Sequence, residues 1–206
     1  MDLSHTTLII EEQIDRIVEI LINDTVNHDD YGFKFSFNTN LLEQYNKGCR
    51  QAYEIEAFAV LFEKLEQMKD HCLYWFEIRD KKQRDTFLDL LNSHRENKEV
   101  ENYRKVPAKT LKAYESSQGN VIYIGVRTGK GFGSKSRHTN IAERINQHLG
   151  YYSTNSTQGL QLSSYVYGCD INITLKVFQF SNLKSDYLTL IEKAVARYFK
   201  PHCGQH

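Results

Sequence analysis

Proline is almost absent from this 206-residue chain, with only Pro107 and Pro201, so long stretches are open to uninterrupted helix. Long apolar runs are absent too. None approaches the roughly 20 residues needed to cross a bilayer, so no membrane partner is expected. The opening stretch MDLSHTTLIIEEQID lacks the basic start of a secretory leader and turns acidic at once. Cysteine is sparse and unpaired in pattern: Cys49, Cys72, Cys169 and Cys203 contain no CxxC. That spacing speaks against a disulfide framework and for small buried hydrophobes in a reducing compartment. A cytoplasmic location is expected. Net charge is also lacking, since 26 Lys and Arg balance 26 Asp and Glu.

The balance is not uniform along the chain. From Met1 to Asp70, 14 acids stand against 6 Lys and Arg, whereas from Tyr103 to Arg144, 9 Lys and Arg face only Glu115 and Glu143. A basic segment on a neutral chain is a footprint for a polyanion, with a solvated surface as the plainer alternative. The acidic N-terminal segment is a candidate surface for a homodimer or a protein partner.

Hydrophobic periodicity divides the chain into helices and a few strands. Ile10, Ile14, Ile17, Val18 and Leu21 recur at helical spacing. A polar stretch from Asn23 to Asn40 carries an alternating FKFSF piece, and a second helical pattern spans about Leu41 to Met68. CLYWFEI (Cys72 to Ile78) and NVIYIGV are strand-like, INITLKVFQF alternates strongly, and LQLSSYVYG has the look of an extended piece. DKKQRDTFLDLLNSHREN and about Ser185 to Phe199 are expected helices. Without regular βαβ alternation, the class is α+β. Residues 1–70 read as a mainly helical N-terminal extension.

Between Gly129 and Ser136 the chain reads GKGFGSKS. The phosphate-cradling Walker pattern needs a glycine directly before the Lys-Ser pair and a helix starting at that pair. Here Ser134 takes the glycine position and Arg137 to Thr139 intervene before the helix. The dinucleotide pattern also fails, because the glycines run GxGxG. The loop is better read as a basic connector. In the helix that follows, Ile141, Ile145 and Leu149 form a buried stripe, with Arg144 and His148 four apart on one face beside it. In the last helix, Glu192 falls within the apolar stripe of Leu188, Ile191, Val195 and Phe199. A buried carboxylate needs an ion-pair partner, such as Arg127 or Arg144, or a cation. His202, Cys203 and His206 crowd the C-terminus, a weak pattern for zinc.

Together these pieces resemble the GIY-YIG nuclease superfamily, in particular its bacterial stand-alone or restriction-like members. Tyr123-Ile124-Gly125 reproduces the YIG half, Arg144 and His148 the Arg-x-x-x-His of the next helix, and Glu192 in LTLIEKAVARYFKP the late metal-binding glutamate. TQGLQLSSY (Thr157 to Tyr165) is similar to a TxALxLxxW stretch of one bacterial branch. The GIY half is degenerate. Cys72-Leu73-Tyr74 is the best match and Tyr114 a rival. The asparagine that many members carry after the closing segment is replaced here, and Gln205 is the stand-in.

The resemblance implies a small, mostly antiparallel central sheet flanked by helices over residues 71–206, with an insertion at about residues 79–118. It also implies metal-dependent hydrolysis of DNA phosphodiesters. Tyr74, Tyr123, Arg144, His148 and Glu192 would be catalytic, with Glu192 holding Mg²⁺ or Mn²⁺. Either tyrosine could orient or deprotonate the water, since phenolate chemistry near neutral pH needs positive charge nearby. Arg127, Lys130, Lys135, Arg137 and Gln205 would contact nucleic acid. The alternative is a catalytically silent module that retains the fold and binds nucleic acid or a partner.

Overall fold

The computed structural model describes residues 3–23, 32–44, 51–99, 105–109, 119–129, 140–151 and 158–204, with the side chains of 3–10 and 140 left aside. Its order is α1 (Leu3–Ile22), β1 (Gly32–Asn38), α2 (Ala59–Gln67), β2 (His71–Glu77), α3 (Lys81–Glu96), β3 (Val121–Arg127), α4 (Asn140–Leu149), β4 (Asn172–Phe180) and α5 (Ser185–Phe199). The four strands form one antiparallel sheet in the order β1-β4-β2-β3. The protein is therefore α+β, with a small antiparallel sheet flanked by helices. Among the described residues, no helix is long and apolar enough to cross a membrane.

Strand β2 explains the arrangement. Six of its seven residues, Cys72 to Glu77, are buried, because neighbouring strands cover both edges and helices cover both faces. Cys72, Tyr74 and Phe76 face one core with α2, α3 and α4, while Leu73 and Trp75 face the other with α1 and α5. Alternation therefore vanishes from its sequence, and only aromatic and β-forming character marks it as a strand. The buried charges of this central region, Glu77 and Lys176, are paired. Glu77 lies 3.8 Å from Lys176 of β4, whose ammonium sits 5.6 Å from the Trp75 ring centroid.

Two stretches differ from their sequence reading. The helix expected over about Leu41 to Met68 is shorter. Two 3₁₀ turns, Ala52–Glu54 and Glu56–Phe58, precede α2. Ala52, Ile55, Phe58 and Leu61 are buried at steps of three, which matches a 3₁₀ repeat rather than an α one. LQLSSYVYG is not extended but forms a 3₁₀ turn at Leu162–Ser164. Gln161 takes a left-handed conformation (φ 56°), and Val166 N–H donates to the Leu162 carbonyl, so that Leu162 and Val166 are buried together.

The FKFSF piece is β1, paired with β4 from Gly32↔Phe178 to Asn38↔Asn172. The first 70 residues thus contribute an edge strand as well as helices, and Phe33 and Phe37 join the same core as Tyr74. Phe58 binds this segment to the sheet, with its ring 5.4 Å from Phe37 and 6.2 Å from Phe35. We expect Phe58→Ala to cost about 3–5 kcal/mol in urea unfolding, as for other fully buried aromatics. A loss below about 1 kcal/mol would mean that this segment packs loosely on the sheet.

Candidate active site

Strands β2 and β3 bring the two tyrosines together through register. Tyr74 pairs with Gly125, two residues beyond Tyr123, so the Tyr74 ring crosses over a position without a side chain. A Cβ at Gly125 would lie 2.5 Å from Tyr74 Oη and 2.9 Å from Tyr123 Cε1. This close approach is what the glycine of the YIG stretch permits. The two ring centroids are 6.2 Å apart.

Helix α4 covers this pair with Arg144 and His148. Ile141, Ile145 and Leu149 seat the helix in the core, which turns Arg144 and His148 onto the tyrosines. Arg144 Nε donates to Tyr74 Oη (3.0 Å) and its Nη2 to Tyr123 Oη (3.1 Å). Its Nη1 donates to Gln147 Oε1 (3.0 Å) and to the Gln158 carbonyl. Four of the five guanidinium N–H groups are therefore engaged among the described residues, leaving one on Nη2. Burial works against the Arg144 charge, but the two tyrosine oxygens outweigh it and hold the group above its ordinary pKa.

His148 is fully buried. Burial lowers its pKa well below the usual value, with Arg144 and Arg127 adding repulsion, so the ring is neutral at pH 7. Leu160 N–H donates to Nδ1 (3.0 Å), which leaves the proton on Nε2. That Nε2–H, 2.9 Å from Tyr74 Oη, donates to it. Tyr74 Oη thus accepts two hydrogen bonds. Burial nevertheless dominates and pushes the Tyr74 phenol well up, with Tyr123 adding to it and Arg144 and Arg127 opposing it. In the protein as it stands, Tyr74 is a neutral phenol.

On the far side of the tyrosines a cleft of about 510 Å³ opens, lined by Tyr123, Arg144, Gln158, Thr189, Glu192 and Lys193 among others. Helix α5 presents Glu192 there, between the buried Leu188, Ile191 and Val195. Burial pushes the Glu192 carboxyl up to about 7, against the pull of Lys193 and Arg144. Among the described residues no three His, Cys, Asp or Glu cluster as a metal site. Among the described residues, the side-chain oxygens lining the cleft are those of Tyr123, Gln158, Thr189 and Glu192, with Glu192 the single carboxylate, beside the cations Arg144 and Lys193. That set fits a cation such as Mg²⁺, which keeps most of its waters and takes few protein ligands.

All five residues singled out in sequence thus meet. Tyr74, Tyr123, Arg144 and His148 share one hydrogen-bonded cluster, and Glu192 shares the cleft with two of them. Arg127 acts electrostatically on Tyr74 and His148 and does not line the cleft. Lys130, Lys135, Arg137, Gln205 and the rival Tyr114 lie outside the described residues. At the C-terminus, His202 bonds the Gly119 carbonyl (2.9 Å) and Cys203 is buried against β3.

Three contributors escape the sequence reading. Gln147 stands one turn after Arg144, a spacing that could have revealed it. The Gln158 carbonyl and the Leu160 N–H are backbone groups of a distant loop and carry no sequence signal. Compared with known proteins, the chain matches no family model, no curated protein and no solved structure.

Two outcomes test this geometry. Gly125→Ala forces the Tyr74 ring off Arg144 and His148 and should cost about 1–3 kcal/mol in stability; a melting temperature equal to that of wild type would contradict the close approach. Glu192 holds its proton more tightly in the folded chain than in the unfolded one. The stability this confers is complete below the ordinary carboxyl pKa of 4.5 and is lost as pH rises through about 7. After discounting for solvent screening, the loss is about 1 kcal/mol. Glu192→Gln should therefore melt about 2–4 °C above wild type at pH 8, with the gain shrinking as pH falls toward 4.5. A pH-independent difference would remove burial as the cause.

Proposed function

We propose that the protein is a metal-dependent endonuclease that hydrolyses DNA phosphodiester bonds, as its resemblance to GIY-YIG nucleases implies. The observation that carries this reading is the Arg144 guanidinium bonded to both tyrosines in a cleft it shares with Glu192.

Each residue has a distinct task. Tyr123 lines the cleft and is the tyrosine that reaches water, so its hydroxyl oxygen orients the attacking water, whose proton leaves to solvent through the open cleft. Tyr74, fully buried, serves as the acceptor that holds Arg144 and His148 in place. The remaining Nη2–H of Arg144 meets the phosphate oxygen on which negative charge builds. His148 fixes Tyr74 through a single tautomer and, being neutral, adds no competing charge. Glu192 would hold a divalent cation, which when bound supplies Lewis-acid stabilisation of the leaving oxygen.

Plasmid DNA incubated with protein and Mg²⁺ or Mn²⁺ should be nicked, and chelation should stop the reaction. Glu192→Ala, Arg144→Ala and Tyr123→Phe should each slow it by about 10²-fold or more, the effect of removing one group that stabilises developing charge. Nicking by Glu192→Ala at the wild-type rate would sink the proposal. Binding without cleavage under either metal would point to the silent nucleic-acid-binding module instead.

A further inference from the structure

Beside the cleft lies a second groove of about 560 Å³, lined by Arg95, Lys98, Lys105, Val106, Pro107, Ala108 and Gln158. It is continuous with the first, because Pro107, Ala108 and Gln158 line both. Its wall is residues 105–108, part of the stretch that separates β2 from β3. The four consecutive carbonyls of this wall are all bonded inside the protein. Lys105 O accepts from Gly159 N–H (3.3 Å), and Val106 O from Gln158 Nε2 (3.1 Å). Pro107 O accepts from Arg95 Nε (3.0 Å) and Nη2 (2.8 Å), and Ala108 O from Arg95 Nη2 (3.2 Å) and Gly204 N–H (3.1 Å).

With its backbone fixed in this way, the segment is a preformed rail. Arg95 braces it from α3, and Gln158 joins it to the catalytic arginine by accepting from Arg144 at its own carbonyl. Two cations project from exposed positions, Lys98 and Lys105. The exposed acids Glu96 and Glu99 flank Lys98 in sequence but do not line the groove. An apolar floor of Val106 and Pro107 under a cationic rim suits a sugar-phosphate strand, whose sugars pack on the floor while its phosphates meet the ammonium groups.

We infer that this groove is a second DNA subsite. It holds nucleotides that flank the scissile phosphate on one side, with Lys98 and Lys105 pairing with their phosphates. The inference rests on the nuclease reading for the identity of the bound polyanion. It extends that reading to a part of the chain absent from the resemblance. Because the rail is already ordered, the subsite contributes to binding rather than to assembly of the reacting groups.

The test uses the full chain and a fluorescein-labelled, random-sequence DNA duplex. Binding is followed by anisotropy without metal, between about 50 and 200 mM salt. Cleavage is followed separately with Mg²⁺. The Lys98→Ala/Lys105→Ala variant should bind roughly tenfold more weakly, and its salt slope should fall by about two, one for each phosphate that the protein no longer neutralises. Its cleavage defect should appear in KM rather than in kcat. Lys81→Ala/Lys82→Ala removes the same charge from the other end of α3 and controls for a general charge effect. Both lysines of the test pair are exposed, so matching circular dichroism and melting curves confirm the fold.

An unchanged salt slope, or an equal loss in the control variant, overturns the subsite while leaving the nuclease reading intact. If wild type binds but never cleaves, and the Lys98/Lys105 variant still loses affinity, the nuclease reading fails and the subsite stands. Absence of any DNA binding overturns both.

Discussion

One charge organises this molecule. Arg144 brings a guanidinium into a core of aromatic rings, where an unpaired charge would cost several kcal/mol. Its burial is tolerated because oxygen acceptors from four parts of the chain converge on it: Tyr74 of β2, Tyr123 of β3, Gln147 of α4 and the Gln158 carbonyl. Each acceptor must be at the right height for the planar fork of N–H groups. That requirement links strand register, helix position and loop conformation. It also adds to the burial that keeps His148 neutral, since a protonated ring beside Arg144 and Arg127 would be repelled.

The cluster has a closed side and an open side, and the sheet separates their construction. Toward the core, Tyr74 and His148 are fully buried and held by Leu160 N–H and by aromatic packing, with ring centroids of 5.4 Å between them and 5.2 Å between Phe76 and His148. Toward the cleft, Tyr123, Arg144 and Glu192 meet solvent. Glu192 arrives from α5, on the opposite sheet face from α4. The two helices can approach each other at β3 because, among the described residues, no further strand flanks it. The C-terminal tail instead covers the start of that edge, with His202 and Cys203 N–H groups on the Val121 and Ile122 carbonyls. A buried half that positions and a half open to the cleft is a division that suits any chemistry needing preorganised donors.

Much of the site was legible in sequence because its members sit on strongly patterned elements. Arg144 and His148 flank a clean Ile141–Ile145–Leu149 stripe, and Glu192 interrupts an equally clean one. Tyr74 and Tyr123 were legible as tyrosines on strands, but which of them faces water was not. The difference comes from register: Tyr74 lies opposite Gly125 in the sheet centre, with strands on both sides of β2, whereas Tyr123 stands on the strand next to the cleft. The rail of residues 105–108 was invisible. Its bonds are made by backbone carbonyls, and any residue supplies a carbonyl.

The sequence by itself determined the class, the helices α1, α3, α4 and α5 and three of the strands, while the family resemblance singled out the five side chains that meet. Periodicity is a property of neighbouring residues, so it survives in a linear reading. Only the tertiary structure decided that β1 joins β4, that Gly125 makes room for Tyr74, and that Leu160 sets the His148 tautomer. These contacts join residues far apart in the chain, and long-range packing selects them from many pairings that local preference leaves nearly equal in free energy.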